Sequence, residues 1–184
     1  QPPPAEMKVS TTLWHYAHGM ALAATGKPDQ AEADWKFLND AFQATPEDAI
    51  FMPPFNNHTK QILKIAKDVL GARIASARND TAKSIRLLEE AVATQDLLNY
   101  GEPPDWYYPV RESLGGVLLR SGNATKAEQV FRADLERNPR NGRSLFGLMQ
   151  ALKAEGREQD AELVNQQFQS AWKNADMQLE VAKL

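Results

Sequence analysis

The chain of 184 residues reads as an all-α fold built from a repeated pair of helices. Three observations predict it. Apolar residues recur at helical spacing almost throughout. Leu13, Tyr16, Ala17 and Met20 fall at i, i+3, i+4 and i+7, as do Ile62, Ile65, Ala66 and Val69, and Ile85, Leu88 and Val92 keep the same register. No stretch alternates apolar and polar residues over a useful length, so no strand is expected. Four turns, ATGKPDQA, SARNDTAK, RSGNATKA and AEGREQDA, share one shape.

Each turn ends a helix with Gly26, Asn79, Gly122 or Gly156, residues that tolerate the left-handed conformation closing a helix. Five residues later stands a small residue, Ala31, Ser84, Ala127 or Ala161. Four further on, three of the units carry a large apolar one, Trp35, Leu88 or Phe131; the fourth has Asn165 there and Phe168 three residues beyond. A small residue at a fixed offset lets two helices approach, and the large one fills the gap beside it. That is an internal repeat, and a repeat decides the architecture. Eight helices are expected, over 8–25, 28–44, 58–78, 81–99, 107–121, 124–138, 141–155 and 158–178.

The pattern resembles the tetratricopeptide family. The first unit carries Trp14, Gly19, Leu22, Gly26, Ala31 and Trp35 at the family's spacings. The third has Leu114, Gly115, Leu118, Gly122, Ala127, Phe131 and a terminal Pro139; the fourth has Leu145, Leu148, Leu152, Gly156 and Ala161. The second is degenerate, with Ala72, Asn79, Ser84, Leu88 and Ala91. The small anchors are 53, 43 and 34 residues apart, and only the last interval is the family's period. The excess falls in two inserted loops rich in proline and aromatics, about 45–58 and 100–108. The stretch from PPDWYYPVRESLG onward is also similar to the C-terminal part of larger bacterial proteins with these repeats. The resemblance implies a right-handed α-solenoid of about four helix pairs, units 8–44, 58–99, 105–139 and 141–178, with a concave and a convex face. Residues 1–7, QPPPAEM, read as a Pro-rich linker or tail. The start at Gln1 suggests a chain from which something upstream has been removed.

Composition narrows the function classes. The formal net charge is −3, and neither half is basic: up to Pro104 there are 10 basic and 13 acidic residues, and from Asp105 onward 11 and 11. Nucleic acid is therefore not the expected partner. There is no Cys, which excludes disulfides, thiolate metal sites and a Cys nucleophile and leaves the compartment open. No apolar run approaches the roughly 20 residues of a membrane-spanning helix.

The stretch GEPPDWYYPVRESLG, residues 101–115, has two readings. Pro103 and Pro104 stop the fourth helix, Asp105 caps the next and Pro109 sits in its first turn. Trp106, Tyr107 and Tyr108 then staple the entering chain to the preceding helix pair. Alternatively, these aromatics face a ligand. The other insertion, EDAIFMPPFNNHT, with Phe51, Met52 and Phe55 around Pro53 and Pro54, looks like the same device used again.

Catalytic chemistry finds little support. His15 and His18 share a face, but a stable metal site needs a third ligand, so His18 is expected to pack and His15 to line a groove. No G-x-S-x-G or phosphate-cradling glycine loop is present; Gly115 and Gly116 lie inside a helix, where small residues let helices pack. The acid pairs Glu89–Glu90 and Asp134–Glu136 are expected to face solvent. Three Asn-x-Ser/Thr sequons, at Asn57, Asn79 and Asn123, are expected to be turn chemistry. No cofactor is expected.

The resemblance implies that fixed positions of each first helix line the concave wall. Carried over, these are His15 and Met20; Val69, Arg73 and Ser76; Glu112 and Arg120; and Arg143, Phe146, Gln150 and Lys153. Four cations and one acid make a locally basic groove, suited to a peptide with acidic side chains or a free carboxylate. The family's carboxylate clamp is missing, because Glu112 and Gly116 stand where basic and amide groups are wanted. The expected function is non-enzymatic binding of a protein or peptide, or of an upstream region of the parent chain. The second hypothesis is a structural C-terminal stack of a longer solenoid, and the third a metal site at His15 and His18.

Overall fold

The computed structural model describes residues 3–4, 6–53 and 57–184, with only the backbone of Lys183. The described residues form eight α-helices and no strand: α1 Lys8–Ala24, α2 Pro28–Ala44, α3 Thr59–Ala77, α4 Thr81–Gln95, α5 Val110–Arg120, α6 Ala124–Arg137, α7 Gly142–Ala154 and α8 Glu158–Trp172. A short 3₁₀-helix, Val181–Lys183, follows. One isolated antiparallel bridge joins Ile50 and His58. Phe55 lies outside the described residues.

The four repeated turns close in one way. Gly26, Asn79, Gly122 and Gly156 have φ of 76°, 62°, 79° and 74°. In each turn the next residue's amide reaches back to a helix carbonyl: Lys27 to Leu22, Asp80 to Ala75, Asn123 to Leu118 and Arg157 to Leu152, all at 2.9 Å. This is the Schellman arrangement, which satisfies the last carbonyls of a helix. The small anchors Ala31, Ser84, Ala127 and Ala161 are all fully buried. Asp80 and Asn123 cap the following helices by accepting from the Lys83 and Lys126 amides.

The chain gathers into two compact units, residues 1–108 and 109–184. In the first, α1 packs on α2 and α3, α2 on α3, and α3 on α4. Its core is α3, whose Ile62, Ile65, Ala66 and Leu70 are fully buried. In the second, α5 packs on α6 and α7, α6 on α7, and α7 on α8. Phe131 of α6 is fully buried at the centre of this unit. A Cβ added to Gly115 of α5 or to Gly147 of α7 would fall closer to the Phe131 ring than atoms can pack. Two bare helix surfaces thus receive one large ring.

Three boundaries differ from the sequence expectation. Helix α4 ends at Gln95 instead of 99, where an i→i−3 bond from the Leu97 amide to Thr94 tightens the chain. Helix α5 starts at Val110, with Pro109 as its extended N-cap residue. The proline ring pushes Tyr108 out of the α region, so the helix cannot begin earlier. Asp105 accordingly does not cap α5; its Oδ2 accepts from the Asn57 amide at 2.8 Å. Helix α8 ends at Trp172, whose Nε1 donates to the Met177 carbonyl at 2.9 Å and holds a turn where the spacing predicted further helix.

One expected solvent position is core. Asp134 is fully buried, although Glu136 is exposed. The Asp134 carboxylate accepts from Asn138 Nδ2 and Asn141 Nδ2, both at 2.9 Å, and from Ser144 Oγ at 2.5 Å. Three donors satisfy it without water, which is what a buried carboxylate requires.

Candidate functional site

In the second unit α5 carries a piece of the chain itself. Beyond the Trp172–Met177 turn the chain runs back to α5, where the 3₁₀-helix Val181–Lys183 packs. Arg120 Nη1 donates to the Val181 carbonyl at 2.8 Å. Leu184, only 7% exposed, lies over Gly116. A Cβ on Gly116 would stand 2.8 Å from the Leu184 Cβ and 3.2 Å from its carbonyl carbon. Gly116 is therefore a recess that one aliphatic side chain fills, with a guanidinium beside it holding main-chain oxygen.

The other positions of this unit expected to line a wall are partly consumed. Glu112 is buried, accepting from Arg143 Nε at 2.6 Å and from Asn141 Nδ2 at 2.9 Å. Burial pushes the Glu112 carboxyl above the usual carboxylate range; the bond from Asn141 and the charge of Arg143 pull it down and do not overcome burial. The Arg143 charge is thus largely spent on an internal ion pair. Phe146 is buried and packs against Phe168, ring centroids 5.7 Å apart. Gln150 is half-buried and Lys153 is exposed.

In the first unit, Met20 and Arg73 are half-buried and Val69 is core. Ser76 shares a hydroxyl hydrogen bond of 2.8 Å with Ser84. His15 Nδ1 lies 2.6 Å from Asp34 Oδ1, and His18 Nδ1 lies 2.8 Å from Asp34 Oδ2. The His15 ring stacks on Phe37 at 3.9 Å and the His18 ring on Trp14 at 4.8 Å. One buried carboxylate thus orients two imidazoles. Among the described residues no group of three or more His, Asp or Glu is placed to hold a metal ion. Sequence reasoning missed Asp34. The signal was there: it shares a helix face with Ala31 and Leu38, a buried register in which an acid needs a partner.

The aromatic stretch divides. Trp106 is buried against Tyr16 of α1, ring centroids 5.4 Å apart. Tyr107 is largely exposed, with its hydroxyl 3.2 Å from that of Tyr16. Burial pushes the Tyr16 hydroxyl far up, so it remains a neutral phenol. The Tyr108 carbonyl accepts from Gln95 Nε2 at 2.9 Å. Leu13, Tyr16, Ala17, Ile62, Asp105, Trp106 and Tyr107 line a cavity of about 240 Å³. Asn57 ties the two insertions together. Its amide donates to the Asn99 carbonyl at 3.1 Å and to Asp105, and its Oδ1 accepts from the Asn99 amide at 2.6 Å. Asn57 is buried, so that sequon is structural; Asn79 and Asn123 are exposed in their turns.

Compared with known proteins, the chain matches no family model, and no curated protein or solved structure matches it.

Proposed function

We propose that the chain is a non-enzymatic interaction module, a tetratricopeptide-like stack of helix pairs that binds an extended segment of another protein along the walls of its first helices. The observation that carries this reading is the seat on α5. Arg120 holds a main-chain carbonyl and Gly116 lies under Leu184, both from the short 3₁₀ turn near residue 184. A surface that recognises main-chain oxygen and one apolar side chain is suited to peptides in general. The repeated Schellman turns and buried small anchors support the repeat reading.

The test is selection of peptides from a random decapeptide library on the immobilised chain, as the parent and as Leu184→Asp, which takes the chain's own Leu184 off α5, followed by amide shift mapping of the best binder from either. The expected result is a binder whose shifts cluster on α5 and α7, around Arg120, Phe146, Gln150 and Lys153. Shifts confined to other helices, or no enriched peptide, overturn the reading.

One observation favours the structural alternative. Met7, Val9 and Phe37, at the start of α1 and on α2, are 51%, 37% and 40% exposed. An apolar set on the first helix pair is what an upstream repeat would cover.

A further inference from the structure

We propose that residues 175–184 are a displaceable occupant of the α5 seat, and that the partner segment replaces them with the same chemistry. The inference rests on the interaction reading above and adds the ligand's form and its regulation. The ligand is an uncharged apolar anchor, Leu or similar, three residues after a main-chain carbonyl in a 3₁₀ turn, because Leu184 and Val181 hold these places now. Arg120 donates to the Val181 carbonyl, and Arg143 is paired with buried Glu112.

The segment has the features of something that can leave. Residues 173–178 are exposed, and Met177 is 46% exposed. The 3₁₀-helix and Leu184 then pack on α5. The seat has the features of something built to receive. In the interior of a helix, glycine is about 1 kcal/mol worse than alanine, and at Gly116 an alanine Cβ would meet the occupant first, 2.8 Å from the Leu184 Cβ, and crowd the guanidinium of Arg120 at 3.2 Å. A tethered occupant competes at a local concentration of roughly millimolar. A free peptide of similar strength therefore meets a blocked site until the tether is displaced or weakened.

The experiment uses the full chain and one defined probe, a synthetic peptide of residues 175–184 with an N-terminal fluorophore, read by anisotropy. Three proteins are compared: the parent, Leu184→Asp, and Leu184→Asp with Gly116→Ala. Leu184→Asp removes the tethered anchor and is expected to bind the peptide at least tenfold more tightly than the parent. Adding Gly116→Ala is expected to abolish that gain while circular dichroism and melting stay unchanged, since alanine favours the helix. Equal binding by parent and Leu184→Asp, or a gain that survives Gly116→Ala, overturns the proposal. So does absence of binding by folded Leu184→Asp, which would make the segment a permanent part of the unit. The two readings fail separately. If the tail peptide binds as expected but no library peptide competes with it, the interaction reading falls. If library peptides bind on α5 and α7 and the tail peptide does not bind, only this inference falls.

Discussion

At the scale of single residues, two positions in the second unit carry testable consequences. Phe131 fills the space between Gly115 and Gly147. Phe131→Ala is expected to lose about 3–5 kcal/mol of stability, because the cavity cannot collapse around two glycines. Gly115→Ala is expected to lose about 1–3 kcal/mol by overpacking against the ring, in spite of its gain in helix propensity. Urea denaturation measures both, and a Gly115→Ala chain as stable as the parent would contradict the ring's placement. Glu112 gives a pH dependence. Its carboxyl is raised in the folded state, chiefly by burial. A raised folded value means that the contribution is complete below the unfolded value and is lost as pH rises through the folded one. The uncharged Glu112→Gln escapes that loss. Its melting temperature relative to the parent should therefore climb between pH 4 and pH 7. A difference that stays flat with pH contradicts the sign.

At the scale of elements, the loops explain themselves through one side chain. Asn57 makes three hydrogen bonds that join the insertion before α3 to the one after α4. Asn57→Ala leaves the Asn99 amide and an Asp105 oxygen without their partner. A buried group left unsatisfied costs about 1–3 kcal/mol, and because Asn99 is exposed and Asp105 half-buried the loss falls toward the low end. The variant is expected to melt lower and to gain protease cleavage at residues 96–105; unchanged cleavage there would mean that the loops are held by other contacts. The aromatic stretch is partly the staple that its composition suggested, since Trp106 is packed away. It reaches α1 through Tyr16 and, through the Tyr108 carbonyl, the end of α4. The proline pattern located the helix start within three residues, but Pro109 decided the exact residue by its effect on Tyr108.

At the scale of the whole molecule, the two functional readings separate on association. An interaction module of this size is expected to sediment as a monomer at tens of micromolar, with Met7, Val9 and Phe37 tolerating exposure singly. A stack truncated from a longer array is expected to self-associate, and Val9→Lys with Phe37→Lys would then restore the monomer. Sedimentation velocity on the parent and this variant tells the two apart. No helix among the described residues is long and apolar enough to cross a membrane.

The helices and their turns were legible in the chain alone, because they depend on local stereochemistry. A residue with positive φ ends each repeat, a small residue follows at a fixed offset, and helical periodicity marks the buried face. The candidate site was legible only in part. Arg120 was named as a wall position, yet its present partner, the Val181 carbonyl, is 61 residues away and no periodicity points to it. The same holds for Asp34 between two histidines and for Asp134 among Asn138, Asn141 and Ser144. Apolar spacing records which face is buried. It does not record which donors meet a buried carboxylate, nor which chain segment comes to lie on a glycine, because those pairings are set by distances that exist only once the helices have packed.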